Sequence, residues 1–197
     1  MKGRSGVRSN EIRIIGGQWR SRKVQFPSVE GLRPTPDRVR ETLFNWLRDD
    51  IRGARCLDLF AGSGALGFEA ASRGAERVVM VDADSRVCSA LRQVCGLFDA
   101  TAVQVLQDNA VRYLTAAPEG FDVVFLDPPF HKGWINRVSS LLETGGWLGA
   151  EALIYLETEA RLPLTDIPAA WRLLKQGMAG DVAYHLYQRD SQGAHDE

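Results

Sequence analysis

Residues 58–67 read Asp58-Leu-Phe-Ala-Gly-Ser-Gly-Ala-Leu-Gly67, a glycine-rich loop between a strand-like run and an apolar helical run. Glycine permits the tight turn from strand into helix and lets a ligand approach the backbone closely. In open α/β sheets, ligands bind at the carboxyl ends of the strands, where the strand order reverses. The loop therefore predicts a site for an adenosine-type ligand at that edge of a sheet.

Downstream of residue 55, strand-like and helix-like segments alternate. The predicted strands are Arg55–Phe60, Arg77–Asp82, Ala102–Leu106, Phe121–Asp127 and Ala152–Glu157, and the predicted helices cover about 65–73, 85–97, 109–116 and 134–143. Strands of mixed Val, Leu and Ile that do not alternate are typical of a parallel sheet covered by helices. Trp171–Gln176 and Val182–Gln188 flank a turn at Gly177 and Gly180 and predict a hairpin that reverses the last strand. We therefore predict a Rossmann-like α/β fold with a mostly parallel seven-stranded sheet.

The composition is that of an ordinary globular chain of 197 residues, 45% apolar and 25% charged. It excludes collagenous and largely disordered classes and fits one domain with a small appendage. The longest apolar runs are strand-sized and none follows the basic amino terminus, so we expect neither a membrane span nor a secretory signal. The three cysteines form no Cys-x-x-Cys pair, which favours reduced thiols in a cytoplasmic protein.

Basic residues are concentrated at the start of the chain. Residues 1–40 contain ten Lys or Arg and three acidic residues, whereas the rest of the chain contains 14 basic and 22 acidic ones. Because arginine binds phosphate bidentately, this asymmetry indicates a polyanionic partner, with a merely solvated tail as the alternative. We expect residues 1–34 to form a basic arm and β-hairpin, residues 35–190 the main domain, and residues 191–197 a flexible tail.

The arm has the pattern of a small hairpin followed by a helix. Apolar residues alternate with arginine around Gly16-Gly17, so we expect one face to pack; these residues are Ile12, Ile14, Trp19, Val24 and Phe26. Trp19 could alternatively stack on a nucleobase. Thr35 and Pro36 predict the start of the helix, with Thr35 as its N-cap.

Acidic residues at the predicted strand ends help to distinguish a dinucleotide cofactor, which carries a pyrophosphate, from S-adenosylmethionine. Asp58 lies beneath the glycine loop, where it would repel a pyrophosphate and attract a ligand with an amine and a sulfonium, such as S-adenosylmethionine. Asp82 ends the second predicted strand and can accept the ribose hydroxyls of either cofactor. Asp108, after the third strand, could meet an adenine edge or cap a helix.

The tetrapeptide Asp127-Pro128-Pro129-Phe130 follows another strand at the same edge. Two prolines fix the turn and leave outward-pointing carbonyls. The Asp127 carboxylate and the Pro128 carbonyl could hold the two N–H groups of an exocyclic amine, turning its lone pair out of conjugation, while Phe130 stacks on the ring. The loop therefore indicates methylation of an amine on a planar base, without a metal.

The two motifs together resemble the class I S-adenosylmethionine-dependent amino-methyltransferases. Three further segments, 13–22, 32–47 and 176–188, resemble more closely the RsmD-type bacterial enzymes, which methylate the 2-amino group of a guanine in 16S ribosomal RNA. This resemblance covers roughly residues 12–189. It implies guanine 966 as the target, the small ribosomal subunit or its assembly intermediate as the partner, and S-adenosyl-L-homocysteine as the product. A monomer is the default expectation for an enzyme that approaches a much larger particle.

The resemblance also implies roles for individual residues. The catalytic residues would be Asp127, Pro128, Pro129 and Phe130; many relatives have Tyr at the position of Phe130, whose missing hydroxyl should leave stacking intact. The cofactor-binding residues would be Asp58, Ala61, Gly62, Ser63, Gly64, Asp82, Ala83, Asp108 and Asn109. The RNA-binding residues would be Arg13, Arg20, Arg22, Lys23, Arg33 and Arg38, together with Arg40.

Other functions fit parts of the pattern. Similar loops act on adenine or cytosine in nucleic acids and on protein glutamine, although the chain lacks a separate DNA-recognition domain. A non-catalytic RNA-binding assembly factor would have damaged cofactor residues, and none looks damaged. A dehydrogenase would bind the pyrophosphate of a nicotinamide dinucleotide at the glycine loop, where the charge of Asp58 would repel it. His131 could act as a base, and Glu157 is expected to be solvated or to cap a strand end.

Overall fold

The computed structural model describes residues 10–29, 32–130 and 133–190. The predicted tail, the first nine residues of the predicted arm and His131 lie outside the described residues. The strands are β1 (Asn10–Arg13), β2 (Lys23–Phe26), β3 (Arg55–Asp58), β4 (Arg77–Asp82), β5 (Val103–Gln107), β6 (Phe121–Leu126), β7 (Leu148–Glu159), β8 (Trp171–Ala179) and β9 (Val182–Arg189). The helices are α1 (Asp37–Trp46), α2 (Ala65–Ser72), α3 (Ser85–Phe98), α4 (Ala110–Tyr113) and α5 (Trp134–Thr144).

Seven strands form one sheet in the order β5-β4-β3-β6-β7-β9-β8. The pairs from β5 to β7 are parallel, and β9 runs antiparallel to both of its neighbours. The predicted mostly parallel sheet with a reversed final strand is therefore confirmed. The strand order reverses between β3 and β6, which places the ligand-binding edge of such a sheet at the ends of these two strands.

Some predicted boundaries differ from the observed ones because strand pairing extends them. β7 starts at Leu148, which pairs with Phe121, and continues through Thr158 and Glu159, which pair with β9. The turn of the last hairpin lies at Gly180, whose φ of 59° favours glycine. Gly177, predicted in that turn, instead lies inside β8.

Apolar layers cover both faces of the sheet, one built with α1, α2 and α3 and the other with α4 and α5. The hairpin of β1 and β2 belongs to the first layer, and its five predicted apolar residues are all buried. Trp19 is 6% exposed and packs its ring against Phe68 and Phe98. Base stacking by Trp19 is therefore wrong, because the indole is part of the core.

A buried carboxylate fastens the hairpin to α2. Glu69 accepts hydrogen bonds from the backbone N–H groups of Ile15 and Gly16, both at 2.8 Å, and pairs with Arg73 and Arg40. Arg40 is fully buried, pairs also with Asp37 at 2.6 Å, and donates to the backbone oxygen of the hairpin's Arg13. The predicted RNA contact of Arg40 is therefore wrong, since this guanidinium is enclosed by protein groups.

The start of α1 also departs from the prediction. Asp37 is its first residue and Pro36 occupies the N-cap position without a side-chain cap. Thr35 is not the N-cap: its hydroxyl lies 3.5 Å from Oδ2 of Asp127, 92 residues further along the chain. A tertiary contact has replaced the expected local one.

Among the described residues, no helix is long and apolar enough to span a membrane.

Candidate active site

Four acidic side chains stand in a row along the carboxyl edge of the sheet. Asp82 ends β4, Asp58 ends β3, Asp127 follows β6, and Glu157 lies near the end of β7. The order of these four strands is β4-β3-β6-β7, and neighbouring strands lie about 4.8 Å apart. Parallel strands end at the same edge, so the topology brings together carboxylates that are far apart in sequence.

The glycine loop is held tightly around Asp58. Oδ2 of this buried carboxylate accepts the backbone N–H of Gly67 at 3.0 Å. A Cβ on Gly67 would lie 2.4 Å from Cε of Met80, and one on Gly64, whose φ is 76°, would lie 2.6 Å from Cδ2 of Leu91. A side chain at Gly64 would therefore strain the loop, whereas one at Gly67 would first displace the Met80 side chain.

Burial changes the acidity of Asp58. Loss of hydration raises its pKa from 3.8 to about 7, against the opposing effect of the hydrogen bond from Gly67. The charges of Asp82 and Glu157 raise it further. A cation bound beside this carboxylate would relieve the repulsion and restore the ionised form.

Asp82 is presented with both oxygens fixed. Oδ2 accepts the N–H of Gly62 at 2.9 Å and Oδ1 accepts the N–H of Asp84 at 2.8 Å. Each carboxylate oxygen has two lone pairs, so each can accept a further hydrogen bond from a ligand hydroxyl. A Cβ added at Gly62 would meet the Leu32 side chain and the Phe60 carbonyl at 3.8 Å, an ordinary contact distance, but the φ of 49° at this position favours glycine.

The third loop at this edge follows β5. Asn109, not Asp108, caps α4, since its side chain accepts the N–H of Val111 at 3.0 Å. Asp108 pairs with Arg112, and its backbone N–H donates to the carbonyl of Asp82 at 3.0 Å. The N-cap alternative for Asp108 is therefore wrong, and the residue lies beside the Asp82 loop.

The other predicted cofactor residues belong to the same loops. Ala61 and Ser63 are buried in the glycine loop, and Ala83 is exposed after β4. The nine predicted cofactor-binding residues thus all lie at the carboxyl edge: Asp58 and Asp82 end β3 and β4, and the others lie in the loops after β3, β4 and β5. Their role in binding remains a prediction.

The Asp-Pro-Pro-Phe loop leaves β6 directly. Asp127 is half-buried, and loss of hydration raises its pKa well above the usual range, with further contributions from the charges of Glu157 and Asp58. The Thr35 hydroxyl opposes this effect. Pro128 is buried, Pro129 is exposed and Phe130 is half-buried.

The sequence missed the second carboxylate of this site. Glu157 was expected at the surface, but it is 3% exposed and accepts the hydroxyl of Tyr155 on Oε1 at 2.9 Å. Burial raises its pKa, and hydrogen bonds from Tyr155 and Thr35 oppose that effect. The expectation of a solvated or capping Glu157 is therefore wrong. Its position beside Asp127 depends on the pairing of β6 with β7, which is not a local sequence signal.

A cavity of about 300 Å³ opens beside the loop. Its walls come from the loop itself, the start of α5, the end of β7 and the connection to β8. The lining residues are Pro128, Pro129, Phe130, Gly133, Trp134, Ile135, Asn136, Glu157, Glu159, Leu162, Pro163, Leu164 and Thr165. This volume is within the range of small-ligand sites.

The six predicted RNA-binding residues are all exposed. Lys23 pairs with Glu11 at 2.8 Å, and Arg22 lies 3.9 Å above the ring of Phe98 while donating to the carbonyl of Leu97. Arg20, Arg33 and Arg38 are exposed on the hairpin turn, the linker and α1. Within the described ranges, no group of three or more His, Cys, Asp or Glu side chains could hold a metal ion.

The reversed β9, the glycine loop after β3 and the row of strand-end acids define a class I methyltransferase fold. The chain matches, over residues 12–188, the family described as conserved hypothetical protein 95, and it belongs to that family. The ribosomal RNA small subunit methyltransferase D of Escherichia coli (strain K12) is 49% identical over 188 residues, 95% of each chain.

Two further comparisons agree with this assignment. The protein of the same name from Haemophilus influenzae is 47% identical over 182 residues, which cover 90% of this chain and 94% of that one. The solved structure of yhhF from Escherichia coli has a TM-score of 0.88 at 46% identity and covers 93% of this chain and 100% of its own. The chain is therefore a methyltransferase of this family.

Proposed function

We propose that this methyltransferase transfers a methyl group from S-adenosylmethionine to the exocyclic 2-amino group of a guanine in 16S ribosomal RNA. The names of its close relatives support ribosomal RNA of the small subunit as the substrate. The observation that carries the chemistry is the position of Asp127 directly after β6, between β3, which ends in Asp58, and β7, whose Glu157 lines a cavity of about 300 Å³. Guanine 966 is proposed on the family resemblance, the cytoplasm on the cysteine pattern, and a monomer as the default for an enzyme that approaches a much larger particle.

The residues present fit the cofactor. Asp58 is a buried carboxylate that a cation would stabilise, and Asp82 has lone pairs left for ribose hydroxyls while it accepts the N–H of Gly62. We propose these residues, with Ala61, Ser63, Gly64, Ala83, Asp108 and Asn109, as the cofactor site. When bound, S-adenosylmethionine supplies an electrophilic methyl group on a positively charged sulfur.

The Asp-Pro-Pro-Phe loop prepares the amine. An amine on a base is a weak nucleophile because its lone pair is delocalised into the ring. Asp127 and the Pro128 carbonyl accept its two N–H groups and turn the lone pair toward the cofactor side of the site. Pro128 and Pro129 keep these acceptors rigid, and Phe130 stacks on the base. Holding reacting groups in this way can lower a barrier by roughly 7–11 kcal/mol in favourable cases.

The direct test uses labelled methyl transfer. Small ribosomal subunits and their protein-free RNA, both lacking the modification, are incubated with the enzyme and labelled S-adenosylmethionine, and the labelled nucleoside is identified. We expect label in N2-methylguanosine. Label in methylated adenine or cytosine, or none on either substrate despite measured cofactor binding, would overturn the proposed substrate. The better of the two substrates shows when in assembly the enzyme acts.

Residues 1–34 and the neighbouring α1 are proposed to hold RNA phosphates. Replacing Arg20, Arg33 and Arg38 together by glutamine is expected to weaken RNA binding and to flatten its salt dependence. Each phosphate contact contributes about 0.7–0.9 to the slope of log affinity against log salt, so the slope should fall by about 2 to 3. Titration of labelled RNA at several salt concentrations measures both effects.

A matched triple variant tests whether position or charge alone matters. Arg48, Arg52 and Arg172 are also exposed, and they lie near the amino edge of the sheet, away from the proposed site. Their replacement by glutamine removes the same charge and should change the slope much less. An equal loss in both triple variants would contradict a phosphate-binding surface on the arm.

A further inference from the structure

Glu157 is a buried acceptor that the proposed chemistry has not used. It lines the same cavity as Phe130 and lies on β7, the strand that pairs with β6. The last registered pair of these strands is Leu126 with Leu156, so Asp127 and Glu157 each follow that pair by one residue. The electrostatic effect of Glu157 on Asp127 agrees with this proximity.

This side of the site therefore presents acceptors. Glu157 lines the cavity together with Pro128 and Pro129, and Asp127 begins that proline loop one residue beyond the last registered pair, beside Glu157. Guanine has a matching edge, because its N1–H and its 2-amino group are adjacent donors. Adenine and cytosine carry a ring nitrogen acceptor next to their amino group, and a carboxylate placed against it would be repelled. A second carboxylate beside Asp127 thus favours guanine over bases with an unprotonated ring nitrogen.

We propose that Glu157 is a specificity-determining residue that accepts the N1–H of the target guanine while Asp127 and the Pro128 carbonyl hold its 2-amino group. This inference rests on the proposed function and assigns the discrimination between bases to one side chain. The cofactor then lies over the Asp82 and Asp58 end of the row, and the base lies over the Asp127 and Glu157 end.

The Tyr155 hydroxyl positions the Glu157 carboxylate. Tyr155 is fully buried and donates to Oε1, and burial next to this carboxylate raises the pKa of the phenol, so it stays protonated as a donor. The Thr35 hydroxyl lies 3.5 Å from Oδ2 of Asp127, and it also opposes the rise in the pKa of Glu157. These contacts orient Glu157, and the lone pairs that they leave are available to a ligand in the cavity.

The substitution Glu157→Gln is expected to change which base the site prefers. With the Tyr155 hydroxyl donating to the amide oxygen, the amide N–H group faces the base. It then opposes the N1–H of guanine and matches the ring nitrogen of 2-aminopurine, which keeps the 2-amino group but has no N1–H. A misplaced hydrogen-bonding pair of this kind changes discrimination on the order of 100-fold.

The experiment compares RNAs with guanine or 2-aminopurine at the target position, using kcat/KM for methyl transfer. The wild type should prefer guanine by about 100-fold, and Glu157→Gln should lose or invert that preference. Glu151→Gln, the same change at an exposed site on the same strand, should keep it. Thermal unfolding of the three proteins shows whether Glu157→Gln remains folded, and methyl transfer to 2-aminopurine RNA by this variant shows that its active site is intact.

Each result has a separate meaning. A wild type that methylates guanine RNA while Glu157→Gln keeps the same ratio between the two bases would overturn the role of Glu157 alone. A folded Glu157→Gln that loses activity on both bases equally would assign Glu157 to general site structure and also overturn it. A wild type inactive on guanine RNA would overturn the proposed function, and the inference with it.

Discussion

Asp127→Ala is expected to lower methyl transfer to RNA on the order of 1,000-fold and to leave cofactor affinity within about threefold of the wild type. The variant removes the carboxylate that accepts an amine N–H, so the lone pair stays in the ring and the amine is no longer aligned. Asp58 and Asp82, which we assign to the cofactor, keep their own hydrogen bonds. Single-turnover transfer measures the first effect, and calorimetric titration with S-adenosylhomocysteine measures the second.

Asp50→Ala is the control, because Asp50 is exposed after α1 at the opposite edge of the sheet. It should behave as the wild type in both assays. If Asp127→Ala retained a tenth or more of the wild-type rate, positioning by this carboxylate would not be the main source of the acceleration.

Asp58→Asn is expected to make the ligand-free protein more stable at pH 8 while weakening S-adenosylmethionine binding by at least about 30-fold. The wild-type pKa of Asp58 is raised to about 7, so the folded state binds more protons than the unfolded state between about pH 4 and pH 7. Its contribution to stability therefore falls as the pH rises through that window. A shift of about three pKa units corresponds to roughly 4 kcal/mol at most.

Part of that gain is lost because the amide N–H₂ of asparagine needs a new partner in a buried site. We expect a net gain of about 2 kcal/mol, or roughly 4–8 °C in Tm at pH 8, and a smaller one at pH 4. Loss of the buried charge costs about 2–5 kcal/mol of binding to a cationic ligand. Thermal unfolding at both pH values measures the gain in stability, and the added rise in Tm with S-adenosylmethionine measures the loss of binding. Equal stabilisation at both pH values would show that ionisation of Asp58 is not its cause.

Much of the fold could be predicted because its signals are local. Unbroken apolar runs predicted buried parallel strands, and the glycine loop and the Asp-Pro-Pro-Phe turn were located from their own residues. Alternating apolar residues predicted which face of the hairpin packs. These patterns depend on backbone preferences and burial within a few residues.

The errors arose where a distant residue decided the outcome. Thr35 has the residue type and position of an N-cap, but its hydroxyl contacts Asp127 instead of the backbone of α1. Arg40 looked like a phosphate ligand, yet Glu69 and Asp37 enclose it. Glu157 looked like a surface acid at a strand tip, and its burial follows from strand pairing and from Tyr155. The spacing of residues along the chain does not show which distant residues will be in contact. The second carboxylate of the site could therefore be found only from the three-dimensional structure.

Because Glu69 anchors the hairpin, the hairpin cannot be removed by truncation without affecting the rest of the protein. Glu69 lies on α2, the helix that begins just after Gly64 of the glycine loop. Removing the hairpin would leave a buried carboxylate without two of its N–H donors and would bare the apolar surface that Trp19 covers. The hairpin is therefore not a detachable module, and any change in sequence that reshapes it must also preserve its contacts with α2, the helix that follows the glycine loop.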